Sequence, residues 1–263
     1  MKDCLIMGFG RSGTSLMGGM LHQAGYYMGK DLYPPRHSNP KGFFENANIN
    51  GINERILSMY DFALSHNDVP IFNKKFSPYK PGVGHRWLSN IPEDVDIINL
   101  DNLSEKEILQ AVSVKSYAYK DPRFNYTLGL WNKFIETDVV YICVFRQPSI
   151  VVESVITECK TAGYLSEFYI NRDIAFNLWF NSYTHLFKNL NSTLLKKTIF
   201  VHYEQLLSGE AIPVLSEKIG VHIDSGFTEL NLNRSKTGVS APVEVLALYN
   251  KLCNLAGYKI NNE

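Results

Sequence analysis

The chain has 263 residues, room for one large or two small domains at about 150 residues each. Its 26 basic residues balance its 26 acidic ones, so the basic excess of a general nucleic-acid or anionic-membrane binder is missing. With 45% hydrophobic and 20% charged residues it is globular, and a chain this long buries roughly 70–75% of its unfolded surface without disulfide staples. Cys4, Cys143, Cys159 and Cys253 form no Cys-x-x-Cys pair and no zinc-spaced cluster, so they read as buried free thiols of a reducing compartment. The N-terminal segment is broken by glycine too early for a signal peptide, and the longest apolar run, 139–145, falls far short of the ~20 residues that span a bilayer. The expectation is a cytoplasmic protein with no membrane and no nucleic-acid partner.

In chain order, 5–9 reads as a short buried strand, 8–13 as a glycine turn, and 14–24 as a helix with Leu16, Met17, Met20, Leu21 and Ala24 on one face, stopped at Gly25. Residues 33–42 form a loop marked by Pro34, Pro35, Pro40 and Gly42. A helix follows from about Glu45. Residues 66–93 read as an irregular insert on the substrate side. Its Phe72, Phe76, Tyr79, His85 and Trp87, beside Lys74, Lys75 and Arg86, suit a sugar or an anionic glycan. Strands are expected at 95–100 and 112–119. The run 139–145 lacks alternation, which suits a parallel strand covered on both faces. Pro148 opens the next helix, 171–190 is another, and 198–202 is the last strand. Strands alternating with helices predict an α/β fold: one domain over 1–263, a three-layer sandwich with a central, mostly parallel sheet flanked by helices. Ligands in such folds bind beyond the carboxyl ends of the strands.

Gly8-Phe9-Gly10-Arg11-Ser12-Gly13-Thr14-Ser15 has the Gly-x-x-x-x-Gly frame of a phosphate loop. Glycines let successive N–H groups turn inward. The helix N-terminus adds positive charge, and Ser12, Thr14 and Ser15 add donors. The lysine that an ATPase loop carries is replaced by Thr14, and the nearby cation is Arg11. A second anion grip is spelled by Arg146, at the end of a buried strand, with Ser154 eight residues on.

Five stretches, in order, resemble the sulfotransferases that use 3′-phosphoadenylyl sulfate (PAPS). They are the Arg-Ser-Gly-Thr-Ser loop at 11–15, Asn39-Pro40-Lys41-Gly42-Phe43-Phe44-Glu45, Lys120-Asp121-Pro122, Phe145-Arg146-Gln147-Pro148 running to Ser154, and Val201-His202-Tyr203-Glu204-Gln205-Leu206. The motif style is closest to the protein-tyrosine, heparan and bacterial branches. The resemblance implies a P-loop fold and transfer of a sulfuryl group to a hydroxyl of a carbohydrate, small-molecule or peptide acceptor, without a required metal. It implies that Gly10 to Ser15 hold the 5′-phosphosulfate and that Arg146 and Ser154 hold the 3′-phosphate. Ser235 and Lys236 would sit in a late loop closing over the nucleotide. Glu45 becomes the general base, its pKa expected to be raised by Phe43 and Phe44. His37 in the same loop is the second candidate. Lys120 and Arg11 become the cations at the leaving oxygen. Arg123, His37 and Trp87 are expected at the acceptor. The histidine that the phenol and steroid branch places after its lysine is absent, because Asp121 and Pro122 follow Lys120. Two rivals remain: an ATP- and magnesium-dependent kinase with Asp101 as metal ligand, and a nucleotide-binding protein without turnover.

Overall fold

The computed structural model describes residues 1–37, 39–60, 84–136, 138–165, 170–227 and 240–260. Four strands, β1 (Cys4–Met7), β2 (Ala118–Lys120), β3 (Val140–Phe145) and β4 (Thr198–His202), form one parallel sheet in the order β2-β1-β3-β4. The described α-helices are α1 (Thr14–Gln23), α2 (Ala47–Ser58), α3 (Asn102–Val112), α4 (Phe124–Trp131), α5 (Pro148–Thr161), α6 (Arg172–Asn189), α7 (Ser192–Lys197), α8 (Tyr203–Leu207), α9 (Ile212–Ile219) and α10 (Val243–Ala256).

The strands are apolar on both faces because both faces are covered. Leu5, Met7, Tyr141, Cys143 and Phe145 point into a core shared with α2, α4, α5, α6 and α10. Their alternates Cys4, Ile6, Ile142 and Val144 point into a second core with Met17, Met20 and Leu21 of α1 and Leu215 and Ile219 of α9. This is the three-layer α/β arrangement expected from the sequence. All four cysteines are buried free thiols. Among the described residues, no helix is long and apolar enough to cross a membrane.

The register aligns the carboxyl ends of the strands: Ile6 lies beside Lys120, Met7 beside Cys143, and Phe145 beside His202. The chain leaves β1 toward β2 on one side and β3 toward β4 on the other, so a crevice opens between the loops that follow β1 and β3.

Two element expectations fail. Residues 95–100 join no strand, since the N–H groups of Ile98 and Asn99 point to the Tyr60 hydroxyl at 2.6 and 2.7 Å. The strand expected over 112–119 is shortened to β2, because α3 runs through Val112. Asp101 starts that helix as its N-cap, accepting from the Ser104 N–H at 2.9 Å. A smaller shift occurs at α2, which starts at Ala47 because Asn46 caps it through the N–H groups of Asn48 and Ile49. Of the expected 66–93 insert, residues up to 83 lie outside the described residues. From 84 on, the chain enters the core through a single 3-10 turn (Arg86–Leu88), with Leu88 and Ile91 buried.

Candidate functional site

At the carboxyl ends lies a cleft of about 780 Å³. The glycine turn forms its floor. Gly13 has φ 98°, a left-handed conformation that suits glycine, and a Cβ there would lie 2.4 Å from the Tyr203 ring. A Cβ on Gly10 would lie 2.5 Å from the Trp87 ring. The loop backbone is therefore packed directly between two aromatic rings. Gly13→Ala should lower thermal stability, because the added methyl meets the Tyr203 ring at a left-handed backbone position. An unchanged melting temperature would contradict that fit. Thr14 and Ser15 line the cleft at the N-terminus of α1, where first-turn N–H groups lie outside the helical ladder.

Ser12, expected among the donors, faces the other way. It is fully buried, its N–H bonds Phe9 O at 3.2 Å, and its Oγ lies 3.4 Å from the Tyr183 hydroxyl. That hydroxyl also accepts from the Phe9 N–H at 3.2 Å and donates to Val144 O at 3.0 Å, tying the turn to β3 and α6.

On the β2 side, buried Lys120 places Nζ 3.3 Å from Ser15 Oγ and against Glu45 Oε1. Glu45 Oε2 accepts from Asn50 Nδ2 at 2.7 Å. The expected rise in the Glu45 pKa is corrected. Burial penalises its carboxylate, but the charges of Lys120 and Arg123 and the hydrogen bonds from Lys120 and Asn50 outweigh it and hold the pKa below the ordinary carboxylate range. The apolar neighbour turns away. Phe44 sits at φ 53° and packs on Gly18 of α1 and edge-on to Phe227, 5.7 Å between ring centroids.

On the β3 side, Arg146 lies 4.3 Å over the Tyr203 ring, and Ser154 reaches the cleft from α5. Arg11 joins them. Its Nε donates to Ser154 Oγ at 3.0 Å and its Nη1 lies 3.7 Å from Glu158 Oε2. The expectation that paired Arg11 with Lys120 is thus revised: Arg11 stands with Arg146 and Ser154. Glu153, on the same helix as Ser154, pairs with Arg172 at 2.6 Å.

Arg123 is committed to the protein. Buried, it bonds Glu54 Oε1 at 2.5 Å, Asp121 Oδ1 at 2.9 Å and Gly84 O at 2.8 Å. Glu54 Oε2 also holds the buried Arg86 guanidinium at 2.9 Å, so Arg86 does not face an acceptor as expected. The network continues from Asp121 to Asn53 at 2.9 Å, and Asn53 Oδ1 accepts from Thr127 and Trp131 at 2.8 Å each. Trp87 and His37 both line the cleft, the latter exposed. Ser235 and Lys236 lie outside the described residues. Asp101, the kinase reading's metal ligand, is occupied as a helix cap and holds Ser104 Oγ at 2.6 Å. Among the described residues no group of three His, Cys, Asp or Glu is arranged to hold a metal.

Sequence reasoning missed Glu54 and Tyr183, which no local motif marks. It quoted Tyr203 within Tyr203-Glu204-Gln205-Leu206 without giving it a place. His202 caps the helix that Tyr203 begins: its Nδ1 accepts the Glu204 N–H at 3.2 Å, which leaves Nε2–H to donate to the Tyr249 hydroxyl at 3.1 Å. Burial and the nearby Arg146 push its pKa down to about 3, so it stays neutral.

No family model and no curated protein matches the chain. Among solved structures it is similar to the sulfotransferase domain from the curacin biosynthetic pathway, at 13% identity over 98% of each chain with a TM-score of 0.47. It is also similar to sulfotransferase STF1 from Mycobacterium tuberculosis H37Rv, at 14% identity over 97% of this chain and 76% of that one with a TM-score of 0.42. Neither likeness is close enough to assign a family.

Proposed function

We propose that the chain is a sulfotransferase moving a sulfuryl group from PAPS to an acceptor hydroxyl and releasing adenosine 3′,5′-bisphosphate. One observation carries the reading. Two cationic clusters flank the glycine turn and open on one cleft: Lys120 with Ser15 and Glu45, and Arg146 with Ser154 and Arg11. The donor set fits a nucleotide with phosphate at both the 5′ and 3′ positions. The turn, the α1 N-terminus and Lys120 would hold the 5′ end, and Arg146, Arg11 and Ser154 the 3′-phosphate. When bound, PAPS supplies a sulfuryl group already activated by its bond to a phosphate.

The chain's own residues have separate tasks in the transfer. Glu45, ionised at neutral pH, takes the proton from the acceptor hydroxyl as its oxygen attacks. Lys120 donates to the oxygen that departs with the 5′-phosphate, held in place by Ser15. The ion pair couples the two events. As Glu45 becomes neutral, Lys120 loses its counter-charge at the moment negative charge develops on the leaving oxygen. No metal ligand is needed for either task. The acceptor class is a carbohydrate, a small molecule or a peptide.

The test is a calorimetric titration with adenosine 3′,5′-bisphosphate and adenosine 5′-monophosphate. Wild type should prefer the bisphosphate, and Arg146→Ala should lower that preference by about 10- to 100-fold, as loss of a charged hydrogen-bond partner does. Equal affinity of the wild type for both nucleotides would remove the reading. Binding of the bisphosphate with no sulfuryl transfer to any acceptor would favour the regulatory alternative.

A further inference from the structure

Leu32 and Asn46 pair antiparallel, with the Tyr33 N–H on Glu45 O at 3.0 Å and the Ala47 N–H on Asp31 O at 2.8 Å. The loop between them therefore leaves and returns at one point. Nearer its tip, Arg36 and Asn39 exchange backbone bonds of 3.3 and 2.9 Å. Glu45 stands at the base of this loop and Arg36 toward its end, and both line the cleft.

The Arg36 guanidinium lies 4.8 Å over the ring of Tyr164, which follows α5 on the facing wall, and 5.9 Å from the Phe43 ring. Two of the cleft's cations are balanced by carboxylates: Lys120 by Glu45, and Arg123 by Asp121 and Glu54. Among the described residues no carboxylate pairs with Arg36. Aromatic faces cover the flat sides of a guanidinium and leave its in-plane N–H fork available. An exposed charge supported in this way at the cleft mouth, on the loop that carries the base, is complementary to an oxyanion on the molecule whose hydroxyl reaches Glu45.

Building on the sulfotransferase reading, we propose that the acceptor is an anionic hydroxy compound, and that Arg36 binds its carboxylate while Glu45 receives its hydroxyl proton. The arginine sets specificity and takes no part in the bond changes. Phe43 and Tyr164 hold the guanidinium and offer ring faces to the acceptor's skeleton.

The experiment saturates the protein with adenosine 3′,5′-bisphosphate and then titrates two matched pairs by calorimetry: 4-hydroxyphenylacetate against 4-hydroxyphenylacetamide, and glucuronate against glucose. The charged member of at least one pair should bind about tenfold tighter or more, and Arg36→Gln should abolish the difference while leaving the first, nucleotide titration unchanged. Equal binding of both members in both pairs, or binding of neither, overturns the proposal while tight nucleotide binding leaves the parent reading standing. A preference that survives Arg36→Gln overturns the role of the arginine. Loss of nucleotide affinity in Arg36→Gln assigns the residue to the donor and overturns the proposal as well. Failure of the wild type to bind the nucleotide removes both readings together.

Discussion

Glu45→Gln should lower kcat by about 10²-fold or more while leaving the affinity for adenosine 3′,5′-bisphosphate nearly unchanged. Glutamine keeps the shape and an acceptor oxygen for Lys120, so the ammonium retains a partner, but it cannot take a proton. The readout is transfer of labelled sulfuryl from PAPS across a panel of acceptors, with the nucleotide Kd measured beside it. A retained rate would pass the role of base to His37, which lines the same cleft. The pH profile gives an independent check. Because Lys120 and Arg123 hold Glu45 below its ordinary value of 4.5, the proposed base stays deprotonated down to that range. The acid limb of kcat/KM should therefore fall below pH 4.5. A limb near pH 6 would point to an imidazole.

Glu54→Ala should be strongly destabilising. It leaves two buried guanidinium groups, those of Arg86 and Arg123, without the carboxylate that bridges them. Removing one partner of a buried ion pair costs about 3–5 kcal/mol, which for a chain of this size corresponds to a fall in Tm on the order of 10 °C. Thermal and urea unfolding would measure it, and a change under about 1 kcal/mol would show that the network contributes little. The effect also has a sign in pH. Burial works against the Glu54 carboxylate, but Arg123 and Arg86 lower its pKa overall. Its stabilisation is present above the unfolded value and lost as pH falls through the depressed folded one, so wild type should weaken in acid more steeply than Glu54→Ala.

The parts of this molecule that were legible in its sequence are those where a local rule and the fold agree. The continuous apolar run at 139–145 gave β3, and Pro148 marked the first turn of α5. Glycine spacing gave the turn after β1. The Lys120 and Arg146 motifs fell at strand ends because the strands share a register. The failures arise where distant residues decide. Whether 95–100 is a strand depended on Tyr60, which receives its N–H groups. The Glu45 pKa depended on Lys120, 75 positions away, rather than on its neighbours Phe43 and Phe44. Ser12 looked like a donor from its place in the turn, and only Tyr183, on α6, fixes it inward. Arg123 and Arg86 read as residues of the acceptor side, and the Glu54 carboxylate that ties both down lies on a different element with no local motif to mark it.

The pairing of Met7 with Cys143 has a further consequence. The two proposed anion grips begin at the ends of neighbouring strands, β1 and β3, so the spacing of their roots is a gauge set by main-chain geometry. Substitutions in the surrounding helices can move the outer parts of the grips, as at Ser154 on α5, without rescaling that gauge. On the proposed reading, a descendant that changed nucleotides would have to exchange the residues at the two grips, because it could not move the strands that carry them apart.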